Sequence, residues 1–220
     1  MCEVICVDDA VERIEDGAVV MIGGFMGSGT PPRLIDALVR QKKSDLTIIS
    51  NDTAKPGIGI GKLIDAGLVR KVITSHIGTN PITQKLMIAE ELDVELVPQG
   101  TLAERIRAGG FGLGGVLTRT GVGTLAAEGE TTLEVDGETY VLAKPLRADV
   151  ALINAKLTDY LGNLTYSLTA RNFNPLMAMA ADKVFAEAEA IVPVGTLAPD
   201  VIATPHVLVD YLVSKEACHG

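Results

Sequence analysis

Short apolar runs alternate along this chain with stretches in which apolar residues recur three and four positions apart. The runs at 19–22, 46–49, 69–74, 94–97 and 150–153 are bounded by Gly, Pro or polar residues and read as strands. Between them, Leu34, Ile35, Leu38 and Val39 mark one face of a helix that begins at Pro31 or Pro32. Thr101 followed by Glu104 fits a capping box and predicts a helix opening there and running through Arg107. Residues 175–181 read as another short helix. The alternation predicts an α/β fold, an open, mostly parallel sheet with helices on both faces, in a single domain spanning 1–220. One segment departs from it. Residues 131–142 alternate apolar and polar around Asp136-Gly137, a β-hairpin signal, and predict a hairpin excursion from the parallel sheet. The glycine-dense stretch 109–123 reads as an ordered loop, because Phe111, Leu113, Val116 and Leu117 alternate with the glycines.

Composition sharpens this picture. A chain of 220 residues can bury a full core. Hydrophobic residues make up 47%, aromatic residues only 4%, and Trp is absent. The core is therefore expected to be built from Ala, Val, Ile and Leu, which suits buried parallel strands. The formal net charge of −9 argues against nucleic acid and anionic membrane as partners. Cys2, Cys6 and Cys218 are odd in number and contain no C-x-x-C, which argues for a reducing compartment and against a disulfide framework. His76, His206 and His219 form no metal-spaced cluster, so no metal site is expected. The acidic N-terminus and the lack of an apolar stretch of membrane-spanning length predict a cytoplasmic protein.

The stretch 16–31, DGAVVMIGGFMGSGTP, carries the strongest chemical signal. A buried strand runs into Gly23 and Gly24, and after Gly29 a helix opens at the prolines. Glycines allow a tight turn and leave no Cβ between backbone and ligand. The N–H groups of a helix start favour anions. The loop lacks the Lys-Ser/Thr ending of a P-loop and the G-x-G-x-x-G of a dinucleotide site. Gly57, Gly59, Gly61 and Lys62 are excluded as a phosphate loop because Leu63 stands where Ser or Thr would be needed. Further along, Gln99 follows the strand 94–97 and Pro98. Polar side chains beyond the C-terminal ends of strands are where open α/β sheets place their sites. Asn51 occupies a similar position after the run 46–49. Two roles are open to it: orienting a substrate carboxylate or amide, or capping the next turn. Ser75 and His76 lack a nucleophile elbow, which favours a structural or interface role over a hydrolytic one. Arg171, Asn172 and Asn174 form a polar cluster before a helix, open to subunit contact or to substrate positioning.

The order of residues in 16–31 resembles the first signature of the family I CoA-transferases, matched at Asp16, Gly17, Val20, Met21, Ile22, Gly23, Gly24, Phe25, Gly29 and Pro31. The segments SNDT at 50–53, SHIGTNP at 75–81, ELVPQGTLAERIRAGG at 95–110, TGVGT at 120–124, KPLRAD at 144–149 and GNLTYSLTARNFNP at 162–175 are also similar to that family, in its order. The chain most resembles alpha subunits of bacterial acetate/acetoacetate (3-oxoacid) CoA-transferases. The resemblance implies transfer of coenzyme A between an acyl-CoA and a short-chain carboxylic or 3-oxo acid through a glutamyl-CoA thioester. Coenzyme A would be substrate and covalent intermediate, with no cofactor tightly bound. The family's nucleophilic Glu lies in an S-E-N-G motif, which this chain lacks; Glu90, Glu91, Glu104 and Glu128 are not in that context. The resemblance therefore implies a beta subunit that supplies the nucleophile, in a heterotetramer of two alpha and two beta chains. It assigns Gln99 to oxyanion stabilisation and Gly24, Phe25, Met26, Gly27, Ser28, Gly29 and Thr30 to coenzyme A binding, and leaves Asn51 as a substrate contact. Competing expectations are a non-catalytic protein binding CoA or a sugar phosphate on this scaffold, and a glutaconate-type CoA-transferase subunit.

Overall fold

The computed structural model describes residues 2–214, so Cys218 and His219 lie outside the described residues. In chain order it contains β1 (Glu3–Ile5), α1 (Val7–Glu12), β2 (Val19–Ile22), α2 (Pro32–Gln41), β3 (Leu46–Asp52), α3 (Gly61–Asp65), β4 (Val69–His76), α4 (Pro81–Ile88), β5 (Asp93–Leu96) and α5 (Gln99–Gly110). There follow β6 (Val116–Thr118), β7 (Thr132–Val135), β8 (Glu138–Ala143), β9 (Ala148–Asp159), β10 (Leu164–Thr165), α6 (Asn174–Met179), β11 (Ala181–Val192) and β12 (Tyr211–Val213).

The large sheet has the order β1-β12-β11-β9-β2-β3-β4-β5. All of these neighbours pair in parallel, and only β10 is antiparallel, against β9. The two-residue period of a strand divides the core between the faces. Val20, Ile22, Ile48 and Leu152 pack on the side of α1, α2 and α3. Met21, Ile49, Ala151 and Ile153 pack on the side of α5 and α6, against Leu102, Ile106 and Met177. Helices thus cover both faces, as the alternation predicts. β3 is buried along its whole length, polar residues included. Burying both faces explains why these strands read as continuous apolar runs rather than as alternating ones.

Several expectations are corrected. Thr101 does not cap α5. The helix starts at Gln99, with Pro98 at the N-cap accepting from the Leu102 N–H at 2.9 Å. Thr101 lies inside the first turn, and its buried hydroxyl has no partner among the described residues. The predicted helix 175–181 ends at Met179 because Ala181 already pairs with β9. β1, α1, β11 and β12 were not predicted. Cys6 is disulfide-bonded and Cys2 is free. The hairpin is present, with Asp136 and Gly137 at φ 52° and 76°, the mirror-image turn that matches strand twist. It is joined by β6 from the glycine-dense stretch, giving a separate three-stranded sheet of order β6-β8-β7.

Candidate active site

Parallel neighbours β2, β3, β4 and β5 end side by side, so the loops that leave them share one edge of the sheet. The glycine loop leaves β2, Asn51 and Asp52 close β3, Ser75 and His76 close β4, and Gln99 follows β5. Positions far apart in sequence are brought together there because parallel strands point the same way.

The glycine loop is a small reversal of its own. The Phe25 and Ser28 backbones exchange two hydrogen bonds of 2.9 Å. Met26 and Gly27 at its tip have φ of 51° and 88°. Its base is clamped from the segment before α6. The Gly24 N–H donates to Asn172 Oδ1 at 3.0 Å, and Asn172 Nδ2 donates to the Ser28 carbonyl at 2.9 Å. Asn174 Nδ2 donates to the Gly29 carbonyl at 3.0 Å, and its Oδ1 accepts from the Asn154 N–H at 3.0 Å. A Cβ on Gly23 would stand 1.9 Å from Asn174 Oδ1, and one on Gly24 would stand 1.9 Å from Thr30 Oγ1. Close packing within the chain thus explains both glycines. Asn172 and Asn174, whose role the sequence left open, hold this loop.

The start of α2 does not offer free donors. Pro31 and Pro32 have no N–H, and the Arg33 and Leu34 N–H groups both donate to the Glu187 carboxylate, at 3.2 and 2.9 Å. Arg33 Nε meets the same carboxylate at 3.1 Å, and the guanidinium donates to the carbonyls of Ala188 and Ser214. Glu187, only 3% exposed, thus takes the place of an external anion. The expectation that this helix start serves an anionic ligand is corrected. The carboxylate comes from β11, more than a hundred residues away.

A second polar chain runs along the edge. Gln99, exposed at the first position of α5, donates from Nε2 to Asn51 Oδ1 at 2.6 Å. Asn51 Nδ2 donates to Asp52 Oδ2 at 2.6 Å, and that oxygen also accepts the Met26 N–H at 2.9 Å. The other Asp52 oxygen accepts from the Ala54 N–H at 2.7 Å. Asn51 and Asp52 are 1% and 3% exposed. The buried carboxylate therefore ties the tip of the glycine loop to Gln99 through one amide. Asp52 was missed in the sequence, where SNDT offers four polar side chains and no rule to choose among them.

Ser75 Oγ donates to the Asn51 carbonyl at 2.6 Å, and His76 is exposed. No hydrogen bond joins the two among the described residues, in keeping with the structural role expected of Ser75. Glu104 pairs with Arg107 on the surface of α5, and Glu90, Glu91 and Glu128 are exposed. Beyond Gln99, a cavity of about 180 Å³ separates α5 from the small sheet, lined by Pro98, Thr101, Arg105, Thr118 and Val141 among others. Glu95 borders it. Burial pushes its carboxyl up, but hydrogen bonds from Arg105 and Lys71 outweigh this and hold it below the usual range. Among the described residues no group of three or more His, Cys, Asp or Glu could hold a metal ion. No described helix is long and apolar enough to cross a membrane.

The chain as a whole is matched in known proteins. The family model for coenzyme A transferase matches residues 4–215. The chain belongs to the coenzyme A transferase family. It is 57% identical over 208 residues to the acetate CoA-transferase subunit alpha of Escherichia coli K12, covering 94% of each chain. It is 53% identical to the acetoacetyl-CoA:acetate/butyrate CoA transferase alpha subunit of Clostridium acetobutylicum, covering 92% of this chain and 93% of that one. Among solved structures, an acyl-CoA transferase from E. coli O157:H7, in a thioester complex with CoA, superposes with TM-score 0.86 at 25% identity. The match covers 96% of this chain but 47% of that one, so the chain spans about half the length of that enzyme. Glutaconate coenzyme A-transferase from Acidaminococcus fermentans shares the fold, with TM-score 0.82 at 20% identity over 96% of this chain and 75% of that one. The protein is thus a CoA-transferase subunit of the alpha type.

Proposed function

We propose that this chain, a single alpha-type domain, pairs with a beta subunit that supplies the nucleophilic glutamate. It would move CoA between acetyl-CoA or acetoacetyl-CoA and a short-chain carboxylic or 3-oxo acid. Two copies of each chain form a heterotetramer, in the cytoplasm. Coenzyme A passes through as substrate, and no cofactor stays bound. The observation that carries this reading is the exposed Gln99 amide, held on the buried Asn51–Asp52 pair. Asp52 accepts three donors, and Glu95 is tied to Arg105 and Lys71. The chain lacks the Ser-Glu-Asn-Gly motif, and we read the nucleophile as external to it. The alpha-subunit relatives, at more than half identity, support the two-chain arrangement and the acid class.

In the first step the partner's glutamate attacks the thioester carbonyl. The C–S bond breaks, leaving a mixed anhydride and the CoA thiolate. The thiolate attacks the glutamyl carbonyl, the substrate's carboxylate leaves, and an enzyme–CoA thioester remains. Each attack passes through a tetrahedral oxyanion. Gln99 donates its free N–H to that oxygen, and the amide needs no titration to do so. Asn51 fixes the amide plane. The glycine loop, residues Gly24 to Thr30, lies along coenzyme A. Phe25, 47% exposed, is presented outward while the base of the loop is clamped.

Gln99→Ala in the reconstituted pair tests this. Losing one oxyanion donor is expected to slow formation of the enzyme–CoA thioester by about 10²–10³, with assembly and melting temperature unchanged. A variant that assembles and turns over at the parent rate would remove Gln99 from the chemistry. Robust transfer by the purified chain alone would overturn the two-chain reading.

A further inference from the structure

The glycine loop has little of its own with which to hold an anion. Residues 23–30 contain no Lys or Arg. The N–H groups of Gly24 and Met26 donate to Asn172 and Asp52. Those of Phe25 and Ser28 donate to each other's carbonyls, and that of Thr30 donates to the Gly27 carbonyl. The start of α2 behind the loop is taken by Glu187. In a chain of net charge −9, a phosphorylated ligand lying on this loop needs a cation from a neighbouring segment.

The segment that clamps the loop carries one. Arg171 stands between Ala170 and Asn172. The Ala170 carbonyl lies 2.4 Å from where a Cβ on Gly29 would be, and Asn172 holds Gly24 and Ser28. Arg171 is exposed, and its guanidinium has no hydrogen bond or ion pair among the described residues. Every other arginine of the chain reaches a side-chain partner. Tyr166, on which the Arg171 charge acts, does not offset it. Burial pushes that hydroxyl up to about 12, so it stays neutral.

We propose that Arg171 anchors a phosphate group of coenzyme A. The inference rests on the reading that coenzyme A lies along the glycine loop, and it names the side chain that fixes the charged end. A guanidinium presents paired donors that match phosphate oxygens. Position favours the phosphates over the reacting acyl end. The loop leaves β2, whereas Gln99 follows β5, three strands away, roughly 14 Å at the usual strand spacing. The clamp lies toward the other side of β2, where Asn174 bonds Asn154 of β9. A ligand that meets both Gln99 and the clamp has to be elongated. Coenzyme A is, with its pantetheine arm between thioester and phosphates.

Calorimetric binding of coenzyme A and of pantetheine to the reconstituted pair tests the contact without turnover. Arg171→Ala is expected to weaken coenzyme A binding about five- to tenfold. Pantetheine, which has no phosphate, should bind the variant as it binds the parent. Kinetics should show a higher KM for acetyl-CoA at unchanged kcat. Arg171→Lys keeps the charge and should recover part of the affinity. Lys85→Ala, which removes an exposed cation of α4, should change nothing. Parent affinity for coenzyme A in Arg171→Ala, or an equal loss with pantetheine, would overturn the proposal. Failure of either Arg171 variant to assemble with the beta chain would also overturn it and make Arg171 an interface residue. If the parent pair binds no coenzyme A, the reading of the loop itself fails and the anchor falls with it.

Discussion

Two helix starts in this molecule follow parallel strands, and they are built in opposite ways. The start of α2, after the glycine loop, is sealed. Prolines remove two donors, and buried Glu187 takes the next two, with Arg33 balancing its charge. The start of α5 has no side-chain cap and presents Gln99 at the surface. The more glycine-rich turn is thus the closed one. Glycine allows close approach, but here the approaching groups are largely the chain's own asparagines and threonine. Open chemistry lies three strands over, where one exposed amide rests on a buried polar pair. A glycine-rich turn before a helix signals an anion site only where no carboxylate of the fold has already occupied it.

The sharpest way to break that contrast is Glu187→Ala. Removing one partner of a buried, hydrogen-bonded ion pair is expected to cost about 3–5 kcal/mol, because Arg33 and two N–H groups lose their acceptor. Urea unfolding measures it. A loss below about 1 kcal/mol would mean that water serves this helix start equally well and that the seal is incidental.

Asp52→Ala probes the open side. It strands the Met26 and Ala54 N–H groups and frees the Asn51 amide, an expected loss of about 1–3 kcal/mol. The reconstituted enzyme is also expected to lose kcat more than KM, since Gln99 would no longer be held. Asp52→Asn keeps one acceptor and should restore part of both. Equal kcat in Asp52→Ala would uncouple the glycine loop from Gln99.

Gly27→Val addresses the loop tip. A branched residue at φ 88° is strained, and its Cβ would stand 2.8 Å from Ile58 Cγ2. Strain of this kind costs about 1–3 kcal/mol. If the tip lies along coenzyme A, affinity for CoA in the assembled enzyme is expected to fall as well. Unchanged CoA affinity in a folded variant would make the whole loop structural.

The smallest effect concerns pH. Burial raises the Glu95 carboxyl, but Arg105 and Lys71 pull it below its ordinary value. A carboxylate lowered by folding contributes stability that is full above its unfolded value near 4.5 and is lost as pH falls through its folded value. Parent and Glu95→Gln are therefore expected to differ in melting temperature at neutral pH and to converge below pH 4. A constant difference across that window would show that the contact works by packing rather than by charge.

Much of the architecture was legible in local pattern. β2, β3, β4, β5 and the hairpin turn at Asp136-Gly137 were readable because periodicity and turn chemistry are properties of neighbouring residues. Gln99, Asn51 and the glycine loop were found for the same reason, each lying just past an apolar run. What the local pattern could not show was partnership. Thr101 and Glu104 satisfy a capping rule, yet Pro98 caps the helix three residues earlier. β11 was unreadable as a strand because its buried Glu187 breaks the apolar run, and that glutamate makes sense only once Arg33 is beside it. Asp52 is one polar residue among several until Met26, Ala54 and Asn51 converge on it. The open face of the small sheet becomes visible only when the register places Leu117, Leu142, Tyr140 and Leu133 on one side. By itself the sequence determined β2 to β5, the apolar face of α2 and the hairpin turn, since short-range sterics and hydrophobic period act within a few residues. Which helix start is sealed, which amide is poised and which face is left bare were decided by the tertiary structure, because each depends on groups distant in sequence meeting in space.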